Sequence, residues 1–101
     1  MTNCGLNKQE LGAIKSVFFS HPKVDSVKIF GSRAKGNYRP SSDIDLAIIG
    51  DIDQFEAEKI SSELDDLPLP YLFDLKVVNQ ISSPELIEHI KRVGISLHDA
   101  K

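Results

Sequence analysis

Two aspartates set two residues apart are the strongest chemical signal in the sequence. Asp43 and Asp45 open the run Asp-Ile-Asp-Leu-Ala-Ile-Ile, which predicts a strand that starts at a solvent-exposed end and runs into the core. Because side chains two residues apart share one face of a strand, their Cα atoms would lie roughly 6.5–7 Å apart. Carboxylates at this spacing can hold divalent cations for phosphoryl chemistry, in which two ions lie about 3.5–4 Å apart.

A third carboxylate lies in another apolar segment. Asp74 stands between Phe73 and Leu75, and an ionised carboxylate in an apolar strand needs a metal, a basic partner or an exposed end. If the two strands are neighbours, Asp74 completes a three-carboxylate cluster and can act as a metal ligand and a general base for a hydroxyl nucleophile. Lys76, on the same face of the strand, competes with a metal ion as the partner of the Asp74 carboxylate.

A glycine-serine pair precedes the aspartates. Gly31 and Ser32 follow a predicted strand and open a loop containing Arg33, Lys35 and Arg39. Backbone N–H groups and a hydroxyl at such a turn can bind phosphate oxygens. We include Arg33 in the candidate nucleotide site, although a basic residue there can also serve only as a counter-charge. Each feature alone is more often an ordinary turn, but a strand, Gly-Ser, a basic loop and an Asp-x-Asp strand in this order favour a nucleotide site.

These motifs together resemble a known family. Residues 30–36, Phe-Gly-Ser-Arg-Ala-Lys-Gly, and residues 42–46, Ser-Asp-Ile-Asp-Leu, are similar to the signature of the polymerase beta nucleotidyltransferase superfamily, and within it to the stand-alone minimal nucleotidyltransferases (MNT). The order of elements matches over nearly the whole chain, but only these motifs are specific. The resemblance implies that Gly31 and Ser32 contact a triphosphate, and that magnesium is bound by the catalytic residues Asp43, Asp45 and Asp74.

The resemblance also implies an activity and a partner. The family transfers a nucleoside monophosphate, commonly AMP from ATP, to a hydroxyl and releases pyrophosphate. Minimal nucleotidyltransferases often pair with an all-helical HEPN-domain toxin and can adenylylate one of its tyrosines. We therefore expect an antitoxin that uses two Mg²⁺ ions, takes ATP as substrate and has a HEPN toxin as partner. Two alternatives stay open: neutralisation of the toxin by direct binding alone, and transfer to a small-molecule hydroxyl, which the lack of a helical acceptor extension disfavours.

The elements that must position these residues can be predicted from caps, breakers and periodicity. We expect an α/β fold in one domain over residues 1–101: a small mixed sheet of about four strands with helices packed on one face. The resemblance implies that this is the polymerase beta-like nucleotidyltransferase fold. Helices are predicted after Asn7, after Asp53 (with Phe55, Ile60, Leu64 and Leu67 on one face) and from Ser83 to Gly94. Strands are predicted at 24–30, 43–49 and 72–78, with an edge strand at 95–98. Residues 31–42 are predicted to be irregular, with a short helical turn after Ser32.

Composition narrows the remaining possibilities. The 101 residues carry a net charge of −3, so we do not expect direct nucleic-acid binding through a broad positive surface. The single cysteine, Cys4, cannot form an intramolecular disulfide, and no apolar run has the length of a membrane span. These features predict a cytoplasmic protein that does not enter membranes. A core of this size also suggests completion of the site by another chain, a partner or a second copy in a homo-oligomer.

Other residues with chemical potential are predicted to be structural. We expect the three histidines, His21, His89 and His98, to lie at the surface, because no nucleophile pattern accompanies them. Tyr38 and Tyr71 can stack on a base, but packing or a surface position is the better interpretation.

Overall fold

A computed structural model describes residues 5–36, 39 and 42–99, without the side chains of residues 98 and 99. Each predicted helix and strand is present, with ends displaced by no more than a few residues. No helix in these ranges is both long and apolar enough to cross a membrane. The elements, in chain order, are α1 (Lys8–Phe19), β1 (Val24–Phe30), α2 (Ser32–Lys35), β2 (Ile44–Gly50), α3 (Gln54–Asp65), β3 (Phe73–Val77), a 3₁₀ helix (Val78–Gln80), α4 (Pro84–Val93) and β4 (Ile95–Asp99).

The three long helices begin directly after the polar capping residues from which they were predicted. Asn7 accepts a hydrogen bond from the Glu10 backbone N–H, and the Glu10 side chain accepts one from the Asn7 N–H, which completes a capping box. Asp53 accepts from the Glu56 N–H at the start of α3, and Ser83 caps α4 in the same way. Because a cap satisfies amides that would otherwise lack a partner, it fixes the first residue of the helix.

The four strands form one mixed sheet in the order β3-β2-β1-β4. β2 pairs with β3 in parallel, whereas β1 is antiparallel to both β2 and β4. The parallel pair requires a crossover, and α3 supplies it. This topology brings the end of β1 and the beginnings of β2 and β3 to one edge of the sheet, so Gly31, Asp43 and Asp74 converge there.

The predicted four-stranded mixed sheet is confirmed, but the helices occupy both of its faces. α1 and α3 cover the face that carries the larger core, including Phe18, Leu46 and Leu64. α4 lies on the other face, where Ile90 packs against Phe30 and Ala47. The prediction of one covered face missed α4, because strand alternation shows that a face is apolar but does not identify the helix that buries it.

One residue predicted on the apolar face of α3 lies on its other side. Ile60 and Leu64 are buried and Leu67 packs against them, but the Phe55 side chain is 76% exposed. Phe55 lies about two and a half helical turns from Leu64, and so points to the opposite side of α3.

Candidate active site

Asp45 and Asp74 lie directly opposite each other on neighbouring strands. The parallel register of β2 and β3 pairs their Cα atoms, and adjacent strands are about 4.8 Å apart. The two strands are therefore neighbours, which was the condition for Asp74 to join the aspartate pair. Both side chains lie on the α4 face of the sheet, since their neighbours Leu46 and Leu75 contribute to the opposite core. Asp43 lies just before β2 and is exposed.

Burial and neighbouring like charges both disfavour the ionised form of Asp45. Burial raises the pKa of the Asp45 carboxyl, and the negative charges of Asp74 and Asp43 raise it further, against smaller opposing effects from Lys76 and His89. Lys76 Nζ lies 3.6 Å from Asp74 Oδ1, so the competing ion pair foreseen in the sequence is present. The carboxylates nevertheless leave an excess of negative charge at this edge of the sheet.

The carboxylates do not form a closed metal cage. Within residues 5–36, 39 and 42–99, no group of three or more His, Cys, Asp or Glu side chains is arranged to hold an ion. Magnesium in nucleotide-dependent enzymes is usually bound through one or two carboxylates together with substrate phosphates. The register pair of Asp45 and Asp74, with Asp43 nearby, therefore suits magnesium in donor type and in charge.

Gly31 brings its backbone against the Asp45 carboxylate. It has φ 75° and ψ −151°, a conformation that favours glycine, and a Cβ atom at this position would overlap Asp45 Oδ2. The β1–β2 register explains this contact, because Phe30 pairs with Asp45. Ser32, the first residue of α2, follows immediately. The structure thus places the glycine-serine turn beside the carboxylate pair.

Arg33 belongs to α2, beside the glycine-serine turn. Its side chain is only 1% exposed. Nε and Nη2 donate to the backbone carbonyl of Ser42 at 3.3 and 3.0 Å, and the guanidinium carbon lies 4.9 Å from the centre of the Tyr71 ring. Arg33 is therefore buried against partners that are distant in sequence, and its predicted part in the nucleotide site stays a prediction.

His89 was missed as a neighbour of the site. It is half-buried on α4, with its ring edge-on to Phe30 at a centroid distance of 6.2 Å, and its charge acts on Asp45. The signal that could have found it is its position on the helical face shared by Leu86 and Val93.

The other aromatic and histidine candidates have varied outcomes. His21 was predicted at the surface but is 4% exposed and lies between Glu56 and Glu63. Tyr71 packs against the core, as expected, and donates a 2.8 Å hydrogen bond to Glu10 Oε2. Tyr38 and the His98 side chain are outside the described residues.

A cavity of about 690 Å³ follows the outer edge of β3. It lies between α3 and the segment leading into α4, and Asp74 and Lys76 are among its lining residues, with Glu58 on one wall and Ser83 on the other. The cavity opens one side of the carboxylate pair to an incoming molecule.

Comparison with known proteins identifies the family. The polymerase beta nucleotidyltransferase family model matches residues 12–101. The chain belongs to this family. The match extends well beyond the motifs that carry the resemblance and covers most of the chain.

Individual relatives share less of the sequence. A candidate protein adenylyltransferase of Methanocaldococcus jannaschii is 39% identical over 46 residues, which are 46% of this chain and 44% of that protein. The chain therefore spans less than half of that relative's length.

Solved structures share the fold at low sequence identity. One from a toxin–antitoxin complex with AMP-PNP has TM-score 0.75 and 22% identity, and the match covers 90% of this chain and 74% of that one. Another, from a complex of a tri-AMPylated Shewanella oneidensis HEPN toxin with its MNT antitoxin, has TM-score 0.62 and 18% identity, with 89% and 73% covered.

Proposed function

We propose that the chain is a magnesium-dependent nucleotidyltransferase that transfers AMP from ATP to a tyrosine of a HEPN toxin, and so acts as an antitoxin. The observation that carries the proposal is the pairing of Asp45 with Asp74 across parallel strands, with the Gly31 backbone against Asp45. Carboxylates paired in this way beside a glycine turn suit metal-assisted transfer from a triphosphate.

Asp43, Asp45 and Asp74 would hold the magnesium ions. When bound, magnesium neutralises triphosphate charge and orients the group to be transferred. Two features support this assignment: carboxylate oxygens are preferred magnesium ligands, and the negative charges of Asp74 and Asp43 both act on Asp45. A divalent cation would relieve that repulsion.

The protein's own residues have separate roles in the proposed reaction. The acceptor oxygen forms a bond to the α-phosphorus, and the bond from that phosphorus to the oxygen bridging the β-phosphate breaks, which releases pyrophosphate. Asp74 accepts the hydroxyl proton, because it is exposed and lines the cavity beside β3. The Ser32 hydroxyl and nearby backbone amides hold the departing pyrophosphate, and Lys76 adds positive charge beside Asp74.

The choice of a protein acceptor rests on the relatives and on the open edge of the site. The two solved structures described above come from toxin–antitoxin complexes, one with AMP-PNP and one with an AMPylated HEPN toxin. The cavity beside β3 leaves Asp74 accessible from outside the sheet, where a tyrosine on the surface of another protein can approach.

The test is AMP transfer to purified HEPN-domain proteins, followed by mass spectrometry of the acceptor. Incubation with the chain, Mg²⁺ and ATP should add one or more AMP groups to a tyrosine, and removal of the metal with EDTA should abolish the gain. An Asp43→Asn/Asp45→Asn double variant should transfer AMP at least about 100-fold more slowly, because charge stabilisation of the transition state is lost. His21→Gln, remote from the site, should retain the parental rate.

Two results would change the assignment. Transfer by the double aspartate variant at the parental rate would exclude the carboxylates from catalysis. Inhibition of the toxin by the parent and the double variant alike, without ATP, would instead support neutralisation by direct binding.

A further inference from the structure

The buried guanidinium of Arg33 connects the three segments that carry the candidate site. Arg33 belongs to α2, next to Gly31 and Ser32, and it donates two hydrogen bonds to the carbonyl of Ser42, the residue before Asp43. Its guanidinium lies against the ring of Tyr71, which precedes the strand of Asp74. No other side chain described above touches all three segments.

We propose that Arg33 is a positioning residue, which holds the glycine-serine turn, the start of β2 and the start of β3 in the relative arrangement that nucleotide transfer needs. The inference rests on the proposed function. Because its side chain is only 1% exposed, Arg33 acts through these neighbours and does not itself contact the triphosphate.

The surroundings of Arg33 compensate its buried charge. Removing a guanidinium from water is unfavourable unless hydrogen bonds and opposite charge replace the solvent. The Ser42 carbonyl and the Tyr71 ring face provide two such contacts. Glu10 adds an opposite charge nearby: it accepts the Tyr71 hydroxyl hydrogen bond at 2.8 Å, and the Arg33 charge acts on its carboxyl.

This arrangement does more than fill space. A buried ion is a weak source of stability compared with apolar side chains of similar volume, so packing alone gives little reason for an arginine here. Its planar guanidinium, however, can stack on a ring and donate to a carbonyl in one fixed orientation, which a lysine ammonium cannot do. Arg33 therefore fixes the relative orientation of the ring and the carbonyl in addition to carrying a positive charge.

A backbone hydrogen bond completes the connection. The Ile44 N–H donates to the Leu72 carbonyl at 2.9 Å, which ties the start of β2 to the residues just before Asp74. Arg33 contacts Ser42 and Tyr71, which lie two residues before the first residues of β2 and β3. Displacement of the guanidinium would release both ends of this link, and a shift of about 1 Å in a reacting group can lower a rate by 100-fold.

The test compares Arg33→Lys and Arg33→Met with His21→Gln, which removes a buried polar side chain away from the site. For each variant, urea unfolding gives stability, electron paramagnetic resonance of Mn²⁺ gives the affinity for Mn²⁺-ATP, and AMP-transfer assays give kcat and KM. Arg33→Met should bind Mn²⁺-ATP at least about 10-fold more weakly and lower kcat about 100-fold. Arg33→Lys, which keeps the charge and the fold, should recover part of the affinity and leave kcat about 10-fold low.

The control separates positioning from stability. His21→Gln should unfold at lower urea concentration while keeping the parental Mn²⁺-ATP affinity and kcat. Parental affinity and kcat in both Arg33 variants would overturn the inference, and so would equal losses of affinity in Arg33→Lys and His21→Gln. If Arg33→Met does not fold, Arg33→Lys decides the outcome.

The two proposals can fail separately. A parent chain that binds Mn²⁺-ATP in an Arg33-dependent way but modifies no HEPN protein would contradict the proposed acceptor and support the positioning role. If the parent chain transfers AMP and both Arg33 variants keep the parental kcat, the result would support the proposed function and contradict the positioning role. Failure of the parent chain to bind Mn²⁺-ATP would overturn both.

Discussion

Two clusters of ionisable side chains lie on opposite sides of the sheet and differ in how far opposite charges compensate the central group. On the side of α1 and α3, His21 contacts Glu56 through Nδ1 and Glu63 through Nε2, the latter at 2.9 Å. Burial opposes protonation of His21, but hydrogen bonds to Glu63 and Glu56 and their charges outweigh it and raise its pKa. On the α4 side, by contrast, Asp45 is surrounded mainly by like charge.

The difference separates a structural cluster from a candidate site. The histidine cluster supplies its own counter-charges and joins the turn after α1 to α3. The aspartate cluster is left with a negative excess that a bound cation would remove. Burial of an ionisable group does not identify a functional residue by itself; the sign of its neighbours carries more information.

The largest expected effect comes from crowding the aspartate side. Gly31→Ala places a Cβ atom on Asp45 Oδ2 and strains a backbone with φ 75°. We expect AMP transfer to fall about 100-fold, as displacement of a reacting group does, and stability to fall by about 2–3 kcal/mol through strain. Transfer assays and urea unfolding measure the two losses.

Two other glycines provide matched controls for Gly31→Ala. Gly36 also has positive φ, 86°, but among the described residues no atom outside its chain neighbours lies within 4 Å of a Cβ built on it, so Gly36→Ala isolates the conformational strain at about 1–2 kcal/mol. Gly12 lies within α1, again with space around it, and Gly12→Ala should stabilise the helix by up to about 1 kcal/mol. Equal transfer rates in Gly31→Ala and Gly36→Ala would rule out the collision with Asp45 as the cause.

Neutralising one member of each cluster should change stability in opposite directions. His21→Gln removes the positive charge between Glu56 and Glu63, and we expect a loss of about 1–3 kcal/mol. Asp45→Asn removes a like-charge contact in a partly exposed setting, so stability should stay the same or rise by less than about 1 kcal/mol. Urea unfolding at pH 6.5 without divalent cations compares them, and a loss in Asp45→Asn equal to that in His21→Gln would remove the distinction between the clusters.

The smallest expected effect is the pH dependence of the histidine cluster. Because the folded-state pKa of His21 is raised, its contribution is fully present below the unfolded-state value of about 6.5 and is lost as pH rises through the folded-state value. The stability difference between the parent and His21→Gln should therefore shrink between pH 6 and pH 9, because the folded protein loses the His21 proton over this range. A difference that grows over this range would show that His21 is held neutral.

Much of the local structure could be predicted because its causes are close in sequence. Asn7, Asp53 and Ser83 each satisfy amides within the next three residues, so the helix starts needed no tertiary information. The apolar run after Asp43 similarly identified β2. The prediction that Phe55 shares a face with Leu64 was wrong, because nine residues are about two and a half helical turns and put the two side chains on opposite sides of α3.

The candidate site could be predicted only in part. The sequence identified Gly31 and the aspartate spacing, whereas the Asp45–Asp74 pairing depends on strand register. His21 and His89 were expected at the surface, but their surroundings come from residues far away in the chain. Such contacts leave no local pattern, because each partner alone has the spacing of an ordinary surface residue.

By itself the sequence determined the order of elements, the family resemblance and the type of chemistry, since caps, alternation and the Gly-Ser and Asp-x-Asp motifs act within a few residues. Only the tertiary structure decided which carboxylates face each other, which helix covers which face and where Arg33 lies. The physical reason is that burial and like-charge repulsion depend on the atoms that surround a side chain in the folded protein, and not on its neighbours in the sequence. Arg33, a basic loop residue in the sequence, is in the structure the buried contact between the segments of the site.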